Sequence, residues 1–263
     1  MKVMYCSRRT VMRASWLNRN FLSSKLGLKT KIVFFVGKAD TEESQLRMEY
    51  ESEHYRDIVQ SDFTDDYRHN TYKAMSYLRW TSINCPTTKL LMKIDDDALL
   101  KSTRIDDLKS KIAYLLSYDL PIYAGKDIDR VPFIKESKKW YRYSKRWAKD
   151  EFPMCFQGLV YFLTPQHTGE LFETALHTPY MYTDDVFLGI LVDKTESDQF
   201  YVENLYDLFE YAFKGFSLRR TLKPKWDHGF LNFIQMPDIR LYYHWSLKDL
   251  KLANLPQMNW FQW

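Results

Sequence analysis

Glycine, cysteine and long apolar runs are all scarce in this 263-residue sequence, and each shortage removes a class of protein. The 8 glycines are spread along the chain with no Gly/Ser linker and no low-complexity tract, so nothing marks a flexible joint and one domain is the simplest reading. A G-x-G-x-x-G loop is missing, which argues against a plain Rossmann-type nucleotide-binding protein. The 3 cysteines, Cys6, Cys85 and Cys155, form no C-x-x-C pair and lack the close spacing of a zinc site, which argues against a structural zinc centre. No stretch reaches 18 apolar residues, and the chain does not begin with the charged segment, apolar run and small-residue cleavage site of a signal peptide, so the chain as given is expected to carry no membrane anchor. An excess of either charge is absent too. The 38 basic and 34 acidic residues leave a net +4, too little to argue for nucleic acid, whose binding rests on clustered phosphate contacts. A denser basic stretch at residues 135–149 is interleaved with Trp140, Tyr141, Tyr143 and Trp147 and reads as a solvated face.

What is present is enough for a core. Hydrophobic residues make up 45% of the chain, and the aromatic share of 17% supplies flat rings that fill cores and also suit sugar-binding clefts. Residues 31–37 form a short apolar run closed by Gly37, the pattern of a strand buried in an α/β sheet. Leu90, Leu91, Met92 and Ile94 form a second run, broken by Lys93 and ending in three aspartates. Between them Ala74, Tyr77, Leu78 and Thr81 fall at i, i+3, i+4 and i+7, which predicts a helix over 71–84 covering the sheet. Further strands are expected near 122–124 and 159–163, and a helix over 184–192 with Thr183 as its N-cap. The order favours an open α/β sheet with helices on its faces.

In such sheets ligands bind beyond the carboxyl ends of the strands, where Asp95, Asp96 and Asp97 are expected to lie. Three adjacent carboxylates repel one another, and a hard divalent cation relieves that repulsion most simply. A solvated acidic turn is the bland alternative, and the apolar strand before the triplet weighs against it. Side chains alternate along an extended chain, so Asp95 and Asp97 point one way and Asp96 the other. The missing D-x-D-x-D-G loop excludes an ordinary EF-hand. A second pair, Asp184 and Asp185, sits at the predicted helix start. The helix dipole alone would account for carboxylates there. In the functional reading one of them is a general base.

These pieces resemble the Golgi β-1,3-glycosyltransferases, a family that includes β-1,3-galactosyltransferases, β-1,3-N-acetylglucosaminyltransferases and, more distantly, the Fringe enzymes. Arg9-Thr-Val-Met-Arg13-Ala-Ser-Trp16 is similar to R-x-x-I-R-x-T-W, and Tyr55-Arg-Asp57-Ile58 through Asp62-Phe63-Thr-Asp65-Asp-Tyr67 to Y-x-D-I-x-x-x-D-F-x-D-x-Y. Phe34 to Gly37, Lys73, Trp80, Cys85, the Lys93-Ile-Asp95-Asp96-Asp97 segment, Lys139-Trp140, Phe152-Pro153-Met-Cys155 and Asp184-Asp185-Val186-Phe-Leu-Gly189 follow in family order. The resemblance implies an α/β fold of GT-A type, a single catalytic domain over 1–263 with a Rossmann-like nucleotide half (about 1–125) and an acceptor half (about 126–263). It implies Mn²⁺ or another divalent cation, a UDP-sugar donor, a glycan acceptor on glycoprotein or glycolipid, and inversion to a β-linked product. Asp97 and His244 then hold the metal, and Asp185 is the catalytic base. Arg13, Asp62, Lys73, Lys93, Asp95 and Asp96 contact the nucleotide or the metal shell. Nucleic acid is not an expected partner, and a Golgi type II protein anchored by a segment absent from this sequence is the expected setting.

Departures from the pattern bear on activity. Phe156-Gln157-Gly158-Leu159-Val160-Tyr161 stands where the family has G-G-G-Y, putting side chains where a backbone approaches sugar, and Asp184 replaces the usual Glu. His69-Asn70-Thr71 replaces Asn-Leu-Thr, and residues 1–7 leave little room for the strand that precedes the first arginine motif. The rival reading is a catalytically silent member that binds nucleotide-sugar or glycan without turnover. Cys85 and Cys155 are expected to pair, leaving Cys6 free.

Overall fold

The computed structural model describes residues 6–96, 98–128, 152–195, 198–201 and 205–211. Helix α1 (Cys6–Ala14) leads to α2 (Arg19–Leu26), whose start is fixed by Asn18, its side chain accepting from the N–H groups of Asn20 and Phe21. The first apolar run forms β1 (Phe34–Lys38), followed by α3 (Glu42–Tyr55), with Thr41 as N-cap, and β2 (Ile58–Thr64). The predicted helix over 71–84 is α4 (Asn70–Asn84), and its Ala74, Tyr77, Leu78 and Thr81 are all buried. The second run forms β3 (Leu91–Ile94). After it come β4 (Ala98–Leu100), α5 (Ile105–Leu116), β5 (Ile122–Ile128) and β6 (Cys155–Leu163). Then follow α6 (Thr168–Leu176), α7 (Asp184–Lys194), β7 (Asp198–Tyr201) and β8 (Phe209–Tyr211).

The class is mixed α/β, as expected, but the open sheet is divided. Strands β1 and β2 pair in parallel, Phe34 opposite Ile58; β3, β6, β5 and β7 form a second, mixed sheet; β4 and β8 pair antiparallel. Between β1 and β3 lies a cavity of about 960 Å³ lined by residues 32–35 and 90–96. These two strands share no ladder.

Strand β6 is the centre of the molecule, because it is apolar on both faces. Val160 and Phe162 join Trp16, Leu22, Leu108 and Leu115 in one core, whereas Tyr161 and Leu163 join Tyr77, Leu78, Phe187 and Leu191 in the other. Fully burying one such side chain stabilises the fold by about 1.5–3 kcal/mol, so the two cores supply most of the driving force. Helix α7 lies close on the start of β6. A methyl group added at Gly189 would come within 2.7 Å of the Cys155 Cβ.

The expected Cys85–Cys155 disulfide is not formed, and all three cysteines are thiols. Cys85 ends α4 beside the turn whose Thr88 carbonyl accepts from Gln166, just past the carboxyl end of β6. Cys155 begins β6, eight residues before Leu163, or roughly 26 Å away at the rise of an extended chain. A bridge needs Cα atoms within about 7 Å. The basic stretch at 135–149 lies outside the described residues, and among the described residues no helix is long and apolar enough to cross a membrane.

Candidate active site

Asp95 sits one residue past β3, where its N–H extends the ladder by donating to Leu159 O (3.0 Å) and its carbonyl accepts from Ala98 N–H (3.2 Å). The chain turns there, so Asp95 and Asp96 occupy a bend at the carboxyl end of the strand. In the antiparallel register Lys93 faces Tyr161. Its ammonium lies 5.3 Å from the Tyr161 ring centroid, 2.6 Å from Asp95 Oδ1 and 3.5 Å from Asp184 Oδ2, and it donates to the Gly158 carbonyl. Burial works against a charge there, but Asp95 and Asp184 more than offset it and raise the Lys93 pKa above the ordinary lysine value. Beneath the ammonium the buried Tyr77 and Tyr161 hydroxyls share a 2.6 Å hydrogen bond, and burial raises both phenol pKa values so that they stay protonated.

Asp184 and Asp185 open α7 as predicted, with Thr183 at the N-cap position, although its hydroxyl makes no capping bond. Asp185 Oδ1 accepts from the N–H of Val186 (2.8 Å). Burial, reinforced by the charge of Asp184, lifts the Asp185 carboxyl to about 6, while the Val186 N–H and Lys93 restrain the rise. A carboxyl with that value can hold a proton or give it up near neutral pH, the requirement for a general base. Gly158 faces it: a methyl group there would sit 3.5 Å from Asp185 Oδ2, so glycine keeps that approach narrow in bulk and open to a ligand. The ring of Phe156, one of the side chains in place of family glycines, is fully buried against Tyr123 at 4.6 Å between centroids, in the core.

The remaining expected site residues divide. Lys73, Lys93, Asp95, Asp96 and Asp184 line the same cavity. Lys73 is nevertheless paired with Asp65 at 2.5 Å. Arg13 sits elsewhere, forked onto Asp57 (2.8 and 2.7 Å), bonded to Glu51 (2.8 Å) and stacked with its guanidinium 3.9 Å from the Tyr55 ring centroid. Asp62 is exposed on β2 and paired with Lys38 at 2.5 Å. Asp97 and His244 lie outside the described residues. Among the described residues no group of three His, Cys, Asp or Glu side chains gathers to hold a metal ion. Asp96 does offer a buried oxygen, Oδ2, with no hydrogen-bond partner, while Arg8 stands 3.5 Å from its Oδ1. Sequence reasoning missed the Tyr77–Tyr161 pair. Its only trace was that both positions carry a hydroxyl on otherwise apolar, core-facing rows.

Comparison with known proteins places this geometry in context. The galactosyltransferase family model matches residues 7–200. A human lactosylceramide 1,3-N-acetyl-β-D-glucosaminyltransferase is 27% identical over 192 residues, 71% of this chain and 50% of that protein. A lactosylceramide 1,3-N-acetyl-β-D-glucosaminyltransferase A of Danio rerio is 29% identical over 192 residues, 70% of this chain and 49% of that protein. The β-1,3-galactosyltransferase brn of Drosophila melanogaster is 27% identical over 187 residues, 71% of this chain and 56% of that protein. The chain thus spans about half the length of the curated relatives it matches. With the family model covering most of its length, this chain belongs to the galactosyltransferase family.

Proposed function

We propose that the chain is a single catalytic domain of GT-A type that moves a hexose or N-acetylhexosamine from a UDP-sugar to a glycan hydroxyl with inversion, forming a β-1,3 linkage. The observation that carries this reading is Asp185, a carboxyl raised to about 6 at the start of a helix, facing Gly158 beside the aspartate turn. Asp185 takes the proton from the acceptor hydroxyl as the oxygen attacks the anomeric carbon, and UDP leaves from the opposite face. Asp97 and His244 would hold a divalent cation such as Mn²⁺, and the unpartnered Asp96 oxygen next to Asp97 is a fitting donor for its shell. When bound, such a cation neutralises the charge that develops on the departing diphosphate. Asp95, held at its turn by Lys93, would contact the nucleotide or the metal shell. The names of the lactosylceramide-acting relatives support a glycolipid glycan as acceptor, and the family resemblance is the ground for a glycoprotein acceptor and for the Golgi lumen as the setting. The test is a donor screen of the purified chain, reading UDP release for each UDP-sugar with a panel of glycan acceptors, with and without Mn²⁺. Acceptor-dependent release that requires Mn²⁺ is expected. Tight UDP-sugar binding with no release for any donor and acceptor would instead identify a silent member of the family.

A further inference from the structure

Three carboxylates, Asp95, Asp184 and Asp185, gather near one buried cation, and the cation does not serve them equally. Lys93 lies 2.6 Å from Asp95 and 3.5 Å from Asp184, and a protein carbonyl, Gly158 O, takes a further donor. With only 14% of its side chain exposed and an aromatic ring beneath it, this ammonium has its protein partners fixed and little freedom to follow a ligand. Its three partners come from three elements: the end of β3, the middle of β6 and the first residue of α7.

We propose that Lys93 is a positioning residue: it binds Asp184 in an ion pair, pins the start of α7 to the end of β3, and thereby leaves Asp185 as the one carboxylate of the pair that works on the acceptor. The proposal rests on the reading of Asp185 as the base and adds why Asp184, one residue away, is not. An ion-paired Asp184 is held in place by Lys93, whereas Asp185 makes its hydrogen bond to the Val186 N–H and keeps its Oδ2 toward Gly158. Without the ammonium, Asp184 becomes a partly buried negative charge that has lost its counter-ion among the described residues, and the helix start is expected to move to hydrate it. Lys93 touches neither the acceptor hydroxyl nor the anomeric carbon in this scheme; its effect reaches the reaction through Asp184.

The experiment is a double-mutant cycle on the full chain with Lys93→Met, Asp184→Asn and the two combined. For each variant, kcat and the acceptor KM of transfer are measured together with the thermal midpoint. Lys93→Met is expected to lower kcat by roughly 10- to 100-fold with the acceptor KM within a few fold, and to lower the midpoint. Adding Asp184→Asn removes the stranded charge and is expected to recover most of both losses, while Lys93→Arg keeps the cation and most of the rate. Two results overturn the proposal: a Lys93→Met rate within a few fold of the parent, or losses that simply add when Asp184→Asn is introduced. If Lys93→Met alone does not fold, recovery of a folded protein in the double variant supports the proposal, and failure to recover it counts against it. If the parent chain shows no transfer with any donor, the functional reading fails, and the cycle in thermal midpoints still decides whether Lys93 serves Asp184.

Discussion

Two charge clusters among the described residues, one around the buried Arg9 and Glu51 and one, partly buried, around Lys93, are built on opposite principles. In the first, Arg9 and Arg13 face Glu51 and Asp57. Arg9 is fully buried and clamps Glu51 at 2.7 and 2.5 Å, and Arg13 spans Glu51 and Asp57. Two cations meet two anions. Burial tends to raise the Glu51 pKa, but the two guanidinium groups more than offset it, holding the carboxyl below its ordinary range. In the second cluster, among the described residues, Lys93 meets Asp95 and Asp184 with Asp185 beside them, and Asp185 rises to about 6. A balanced cluster stores stability; an unbalanced one leaves a group poised to exchange a proton. The balanced cluster joins α1 to α3 and the chain before β2, whereas the unbalanced one lies where β3, β6 and α7 converge.

The sharpest way to separate them is to neutralise one member of each. Asp185→Asn is expected to lower single-turnover transfer by about 10²- to 10⁴-fold with UDP–Mn²⁺ affinity kept, as loss of a general base requires. Transfer within a few fold of the parent would make Asp185 a helix-start residue and break the contrast. Arg9→Met in the balanced cluster removes the bidentate partner of the buried Glu51, leaves it Arg13 alone of the two guanidinium groups, and is expected to cost about 3–5 kcal/mol of stability by urea unfolding, with catalytic constants of the folded fraction unchanged. A cost below about 1 kcal/mol would show that the cluster is ornamental to the fold.

Acid should act on the two clusters with opposite sign. Glu51 has a depressed pKa, so its contribution is present above the ordinary carboxylate value and is lost as pH falls toward its folded pKa. Asp185 is raised to about 6, so the folded protein holds a proton there that the unfolded chain has lost, and the group destabilises the fold above that value. Asp185→Asn is therefore expected to stabilise the protein at pH 7.5 by roughly 1–3 kcal/mol, an advantage that shrinks toward pH 5. The transfer rate of the parent should fall tenfold per unit below about pH 6, because only the ionised carboxylate accepts the acceptor's proton. A flat profile between pH 5 and 7 would remove Asp185 from the reaction. The smallest effect expected is at Asp62, whose exposed pair with Lys38 contributes less than about 1 kcal/mol. Isothermal titration of Asp62→Ala with UDP–Mn²⁺ asks whether that exposed carboxylate is a ligand contact, since its loss would change affinity while leaving unfolding nearly untouched.

Local chemistry was legible from the chain. The apolar row of Ala74, Tyr77, Leu78 and Thr81 fixed a helix face, and the apolar run of 159–163 marked a strand, whose two faces both prove to be buried. The Asp184–Asp185 pair was visible because a helix start favours carboxylates whether or not they react. Long-range register was not legible. Lys93 interrupts an apolar strand, but only the pairing of β3 with β6 sets it across from Tyr161 and under the reach of α7. By the family resemblance Arg13 read as a nucleotide contact, and the partners its guanidinium meets, Glu51 and Asp57, lie about 40 residues on in the chain itself. The disulfide expectation failed for the same reason, since Cys85 closes α4 near the carboxyl end of β6 whereas Cys155 begins that strand.

The division of the sheet has a consequence for how the molecule breathes. With no ladder between β1 and β3, the unit of β1, β2 and α3 meets the rest of the described residues mainly through side chains, at α4 and the arginine cluster. Amide exchange in Phe35 and Val59 is therefore expected to proceed by an opening that costs less than global unfolding, while amides in β6 exchange only when the whole chain melts. Lys93, Asp184 and Asp185 are anchored in the part that opens last, so the groups that move protons stay assembled through fluctuations that loosen the far side of the cavity.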